Sequence, residues 1–181
     1  MKVLLGVCGG IAAYRACDLV RRLCEAGDEV SVVMTPAATR FVTPLTLATL
    51  SGRPVGSSLF DESTEEIDHI RLARWPDLVV VAPATANSLA RFAHGMADDL
   101  LSTVILATHR DVPILLAPAM NTAMWDNPLV QRNMEVLKGT GRFEVVPPVE
   151  KTLACGETGV GGLADEEDLL AAIRGFSPGA R

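Results

Sequence analysis

Leu78-Val79-Val80-Val81-Ala82 is apolar at every position. A strand with that pattern must be covered on both faces, which is the situation of a parallel sheet flanked by helices. Short β-rich runs of the same kind recur at Val3–Val7, Val30–Met34, Ile114–Ala117 and Phe143–Val146. Longer stretches of helical character separate them. The alternation predicts an α/β fold, a doubly wound parallel sheet flanked by helices. In such a sheet ligands sit beyond the carboxyl ends of the strands, so the segments that follow each run carry the information about function. With 181 residues, 49% of them hydrophobic, the chain can bury a core of its own. It reads as a single domain over 1–175, followed by a tail at 176–181 in which Ser177-Pro178-Gly179-Ala180-Arg181 has linker composition.

Charge and cysteine usage remove several function classes. Acidic residues number 22 against 16 basic ones, and the basic residues are scattered, so the electrostatic footprint of a nucleic-acid or anionic-membrane partner is missing. Cys8, Cys17, Cys24 and Cys155 show neither zinc-ligand spacing nor the density of a secreted disulfide scaffold. No run approaches the roughly 20 apolar residues of a membrane span. The expectation is a cytoplasmic protein without a metal site.

After the first strand comes Gly6-Val7-Cys8-Gly9-Gly10-Ile11-Ala12-Ala13-Tyr14, a glycine turn expected to open a helix that runs to about Ala26 and stops at Gly27. Amides at that helix start suit a phosphate, yet a plain tight turn would look the same, and neither the dinucleotide nor the Walker pattern is met. The second strand ends in Met34-Thr35-Pro36, without the acidic residue that dinucleotide enzymes turn to the ribose. A mononucleotide therefore fits better than NAD. The run Pro83-Ala84-Thr85-Ala86-Asn87-Ser88 reads either as a hydroxyl-rich ligand turn or as an ordinary N-cap by Thr85, Asn87 or Ser88. Pro118-Ala119-Met120-Asn121-Thr122-Ala123-Met124-Trp125 puts large apolar residues at a strand end, either to line a pocket or to cover the sheet edge.

His69, expected just before the third strand, reads as a structural residue or as a proton-transfer group whose pKa the neighbouring Asp68 could raise. His94 and His109 are expected on helical stretches as structural or solvated residues. Cys155 lies in a stretch with four glycines, Gly156, Gly159, Gly161 and Gly162, which reads as a mobile flap able to carry a thiol over a pocket. Cys8, Cys17 and Cys24 are most simply small core residues.

Gly9-Gly10-Ile11-Ala12-Ala13-Tyr14, Pro83 to Ser88, Pro118 to Trp125 and Ala154-Cys155-Gly156-Glu157, taken together and in this order, resemble the homo-oligomeric flavin-containing cysteine decarboxylases. The resemblance covers nearly the whole chain and implies a Rossmann-like flavoprotein with FMN as cofactor. It implies cofactor contacts from Gly9, Gly10, Ile11, Thr35, Thr85, Ala86, Asn87, Ser88 and Ala119, and substrate contacts from Asn121, Met124, Cys155 and Gly156. It implies oxidative decarboxylation of a cysteine carboxylate through a thioaldehyde to an enethiolate. His69 would take the thiol proton, Asn121 would hold the carboxylate, and Cys155 would donate a proton in the branch that reduces the enethiolate. The expected substrate is phosphopantothenoylcysteine, with the C-terminal cysteine of a peptide as the alternative and a non-catalytic FMN-binding regulatory subunit as a further one. The resemblance also implies a homo-oligomer, a trimer assembled into a dodecamer, with flavin between subunits. A cysteine ligase follows this unit in many bacterial relatives, so the chain is expected to stand alone or to be part of a longer protein.

Overall fold

The computed structural model describes residues 1–60, 68–152, 156 and 158–176. Among these, six parallel strands form the main sheet: β1 (Lys2–Val7), β2 (Glu29–Met34), β3 (Val55–Gly56), β4 (Leu78–Ala84), β5 (Ile114–Pro118) and β6 (Phe143–Val145). Their order is β3-β2-β1-β4-β5-β6. The direction of winding reverses between β1 and β4, whose register pairs Val3 with Leu78 and Leu5 with Val80. The sequence runs foretold every strand of this sheet but β3, a two-residue edge strand too short to leave a pattern. The strand that follows His69 is consequently the fourth, not the third.

Helices cover both faces, as the continuous apolar runs require. On one face α1 (Arg15–Glu25), α2 (Pro44–Ser51) and α8 (Glu166–Arg174) bury Leu19, Val20, Leu23, Leu47, Leu169 and Ile173 against Val3, Leu5, Val32 and Val80. On the other, α3 (Asp68–Arg74), α4 (Ala86–His94), α5 (Leu100–Ala107) and α7 (Pro128–Gly139) bury Leu72, Leu89, Leu101, Val104, Met134 and Leu137 against Leu4, Val79, Val81 and Leu116. Alternate residues of β1 and β4 thus enter opposite cores, which explains why nearly every position in those runs is apolar. A short helix α6 (Thr122–Trp125) follows β5, and an antiparallel hairpin of β7 (Val149–Thr152) and β8 (Thr158–Gly162) stands apart from the main sheet.

Two local details differ from expectation. The glycine turn after β1 opens a 3-10 turn at Ile11–Tyr14, and only then α1, which ends as foreseen with Gly27 in the left-handed conformation at φ 86°. His109 lies in the loop after α5, where its Nδ1 faces Asp111, and not on a helix; His94 does end α4. Among the described residues no helix is long and apolar enough to cross a membrane, and no group of three or more His, Cys, Asp or Glu could hold a metal. Residues 177–181, most of the expected tail, lie outside the described residues.

Candidate flavin site

Beyond the carboxyl ends of β1, β2, β4 and β5 the four connecting segments enclose a cavity of about 550 Å³, within the size range of cofactor pockets. Backbone hydrogen bonds tie its walls together. Cys8 N–H donates to the Pro83 carbonyl (3.2 Å), Thr35 N–H to the Val7 carbonyl (3.0 Å), and Ala119 N–H to the Ala84 carbonyl (3.0 Å). Its lining includes Gly9, Gly10, Thr35, Thr85, Ala86, Asn87, Ser88, Ala119 and Met124, all singled out from the sequence. Pro36 and Met120, from segments the sequence had marked, join them, as do Ala37, Arg91, Asp98 and Asp99, which had not been foreseen.

The two glycines do different things. Gly9 is pressed on the β2 turn: a Cβ there would lie 2.4 Å from Ala37 Cβ and 2.6 Å from the Ala37 carbonyl carbon. Gly10 has extended backbone (φ −153°), and a Cβ there would meet nothing nearer than Thr85 Cγ2 at 3.7 Å. Gly9 is a packing requirement, whereas Gly10 leaves the cavity wall bare.

Thr85 caps α4, its side chain accepting from Ser88 N–H at 3.4 Å, so of the three cap candidates Thr85 is the one used. The cap and the cavity are not alternatives, because the start of α4 faces the cavity. The helix dipole and the first-turn amides therefore favour an anion there. Ser88 also bonds the thiol of fully buried Cys8, and burial pushes that thiol up to about 11.

The lining cation Arg91 is already paired. Its guanidinium contacts Asp98 twice (Nε–Oδ1 and Nη2–Oδ2, both 2.9 Å) and Asp99 once (Nη1–Oδ2 2.5 Å). Asp99 is buried, and its other oxygen caps α5, accepting from Ser102 N–H at 2.7 Å and from the Ser102 hydroxyl at 2.8 Å. This corner carries one positive and two negative charges, so it repels rather than attracts a phosphate. The encounter comes from the chain path: Gly95, in the left-handed conformation, ends α4, and Asp99-x-x-Ser102 opens α5, which turns the chain back on Arg91.

Of the remaining expected site residues, Ile11 is 61% exposed and outside the cavity lining. Asn121 is half-buried beside Met120 and caps α6, its Oδ1 accepting from Ala123 N–H at 2.8 Å. Met124 is half exposed at the cavity and Trp125 packs on the second core, so of these two the pocket takes the methionine and the sheet the tryptophan. His69 is half-buried in the first turn of α3 and does not line this cavity. Gly156 is exposed in a turn with φ 86°. Cys155 lies outside the described residues.

Of the glycines after Cys155, Gly156 has open space around it, whereas a Cβ on Gly162 would lie 3.1 Å from Lys151 Cβ. The base of the β7–β8 hairpin is held by Lys151, whose Nζ contacts Asp165 Oδ1 (2.6 Å) and the Leu163 carbonyl (3.2 Å), and by Arg15 on the carbonyls of Leu163 (3.1 Å) and Ala164 (3.2 Å). The Lys151 contact holds the Asp165 carboxyl below the usual range.

The bare Gly10 wall, the start of α4 and the hydroxyls around them suit an anion-bearing ligand, and comparison with known proteins points to a flavin. The Flavoprotein family model matches residues 1–177. The coenzyme A biosynthesis bifunctional protein CoaBC of Vibrio vulnificus is 48% identical over 176 residues, covering 97% of this chain. This chain spans only 43% of that relative's length. A probable phosphopantothenoylcysteine decarboxylase of Streptococcus mutans is 46% identical, with 95% of this chain and 96% of the relative covered. Among solved structures, a Cys-to-Ser mutant of PPC decarboxylase complexed with pantothenoylaminoethenethiol superposes with a TM-score of 0.84, at 33% identity over 97% of both chains. The FMN-dependent cysteine decarboxylase SpaF superposes at 0.83, with 31% identity over 98% of both. The chain belongs to the Flavoprotein family and, within it, to the cysteine decarboxylases.

Proposed function

We propose that the chain binds FMN in the cavity at the β1–β4 reversal and decarboxylates phosphopantothenoylcysteine. The observation that carries this reading is one cavity walled by the Gly10 turn and the start of α4, with the Asn121 loop beside it. A bound cofactor would supply a reversible two-electron store, an acceptor before carbon dioxide leaves and a donor after it. The amides of Ala86 and Asn87 and the hydroxyls of Thr85 and Ser88 hold its phosphate, because Arg91 is neutralised by Asp98 and Asp99. Met120 and Met124 provide apolar contact area beside the start of α6.

His69 takes the proton of the substrate thiol, and Asn121 orients the carboxylate so that the breaking bond is aligned. His69 stands outside the cavity lining of its own chain. With that position, the reading includes a homo-oligomer in which His69 works over the cofactor of a neighbouring copy, and the resemblance to the cysteine decarboxylases implies a trimer within a dodecamer. Cys155 donates the proton that completes the saturated product. Relatives that match nearly all of this chain at 46–48% identity carry names of the coenzyme A route. Similarity to SpaF at 31% identity supports the second reading, a peptide ending in cysteine. Purified protein incubated with phosphopantothenoylcysteine and with cysteine-ended peptides, followed by mass spectrometry, separates the two. A pantetheine precursor lighter by carbon dioxide alone is the expected product; activity confined to the peptide would reassign the substrate.

A further inference from the structure

Strand β8 reads Thr158-Gly159-Val160-Gly161-Gly162, and the two residues that share its inward face, Gly159 and Gly161, both lie against the loop that carries Asn121. A Cβ on Gly161 would sit 2.2 Å from the Met120 carbonyl oxygen, and a Cβ on Gly159 would sit 2.5 Å from Thr122 Oγ1 and 3.1 Å from Thr122 Cγ2. Met120 N–H donates to the Gly161 carbonyl at 2.9 Å. Val160, between them, points the other way and is 40% exposed. The residues immediately before and after Asn121 are therefore both held by β8, one through its backbone and the other through its side chain. Thr122 Oγ1 is buried there with no hydrogen-bond partner among the described residues, so the contact is one of shape and not of polarity.

We infer that Gly159 and Gly161 are positioning residues for Asn121. They touch neither the cavity nor the reacting atoms, and they act by letting β8 approach closely enough to fix the loop from Met120 to Thr122. Any side chain on that face pushes the loop off the strand and turns the Asn121 amide away from its working orientation. The inference rests on the proposed role of Asn121, and hydrogen exchange tests it separately from that role.

The two clashes differ in kind, which supplies the test. At Gly159 the obstruction is a side chain, so Thr122→Ala, which deletes the Oγ1 at 2.5 Å and the Cγ2 at 3.1 Å and keeps the Cβ at 3.3 Å, relieves it; at Gly161 it is a backbone oxygen that no second substitution removes. In FMN-loaded protein, Gly159→Ala should speed amide exchange at Met120 and Ala123 roughly tenfold or more. It should lower kcat on the order of a hundredfold, with the flavin absorbance per chain retained. Adding Thr122→Ala should restore both. Gly161→Ala should do the same damage, and Thr122→Ala should leave it unrepaired. Wild-type exchange in Gly159→Ala, or equal repair of both glycine variants by Thr122→Ala, overturns the inference. Because exchange needs no substrate, a wild type inert toward every cysteine substrate would refute the proposed function while the exchange pattern still decides the positioning.

Discussion

Gly9 and Ala37 meet so closely that a Cβ on the glycine would lie 2.4 Å from the alanine Cβ, with the Ala37 carbonyl oxygen at 2.9 Å. The turn after β1 is thereby locked to the turn after β2, and the two together make one wall of the cavity. Gly9→Ala forces two backbone segments apart and should lower stability by about 2 kcal/mol, the scale of an overpacked core. At Gly10 an added Cβ would meet only Thr85 Cγ2, at 3.7 Å and from extended backbone, so Gly10→Val should leave the urea midpoint near that of wild type while flavin absorbance per chain falls severalfold. Equal flavin occupancy in Gly10→Val and wild type would assign this turn to folding alone.

Cys8, bonded to the cavity-lining Ser88, gives the fold a dependence on alkaline pH. Burial raises its thiol from 9.0 to about 11, against the smaller opposing effects of hydrogen bonds from the Ser88 side chain and Thr85 backbone. The folded state keeps a proton that the unfolded chain gives up near 9.0, so the contribution is complete below pH 9 and is lost as pH rises to about 11. Two pH units correspond to roughly 3 kcal/mol in all. Urea unfolding at pH 8 and pH 11 should show wild type losing about that much more stability than Cys8→Ser. Parallel losses in the two proteins would mean that the thiol ionises without opposing the fold.

The Arg91 corner predicts an asymmetry. Asp99 is 7% exposed and Asp98 is 50% exposed, though both face the same guanidinium. Arg91→Met leaves the buried carboxylate without its counter-charge and should destabilise by about 2 kcal/mol, below the range for a fully buried pair because Ser102 still bonds Asp99. Asp98→Asn removes an exposed partner and should change stability by less than about 1 kcal/mol. Thermal or urea denaturation of the two variants checks the ordering, and a larger loss in Asp98→Asn would refute it.

What the sequence made legible follows from how local each signal is. β1, β2, β4 and β5 carry their apolar pattern within a few residues, and the stop at Gly27 is equally local, while the sequence narrows the cap of α4 to Thr85, Asn87 or Ser88 and the structure uses Thr85. The cavity wall could be read because parallel topology collects every strand end on one side. Arg91 with Asp98 and Asp99 was not read, since their encounter depends on a chain reversal at Gly95 that no single residue announces. Gly159 and Gly161 looked like a source of mobility, because the partner that makes them necessary, the loop around Asn121, lies some forty residues away in sequence.

His69→Asn tests the assignment of the thiol base. The residue is half-buried in the first turn of α3 and outside the cavity lining, so replacing it should leave flavin occupancy unaffected. Turnover should fall by roughly a hundredfold or more, the usual scale for losing a general base. Turnover near that of wild type would return His69 to a purely structural role.

Asn121→Asp separates the charge at this position from its local geometry. Asn121 Oδ1 caps α6 through Ala123 N–H, and aspartate is an equally good N-cap, so the helix and the contacts of β8 with Met120 and Thr122 should persist. What changes is that an acceptor with donors becomes an acceptor-only anion, at the place where the substrate carboxylate is proposed to rest. Two carboxylates within contact distance repel, so KM should rise by about tenfold or more while flavin absorbance per chain and thermal stability stay at wild-type values. Lowering the pH toward 5 should recover part of the lost affinity, because the substrate-bound pair then shares a proton that neither carboxylate holds alone at neutral pH. Steady-state kinetics at pH 7 and pH 5 would read both effects, and a KM indifferent to the substitution at either pH would place the substrate carboxylate elsewhere.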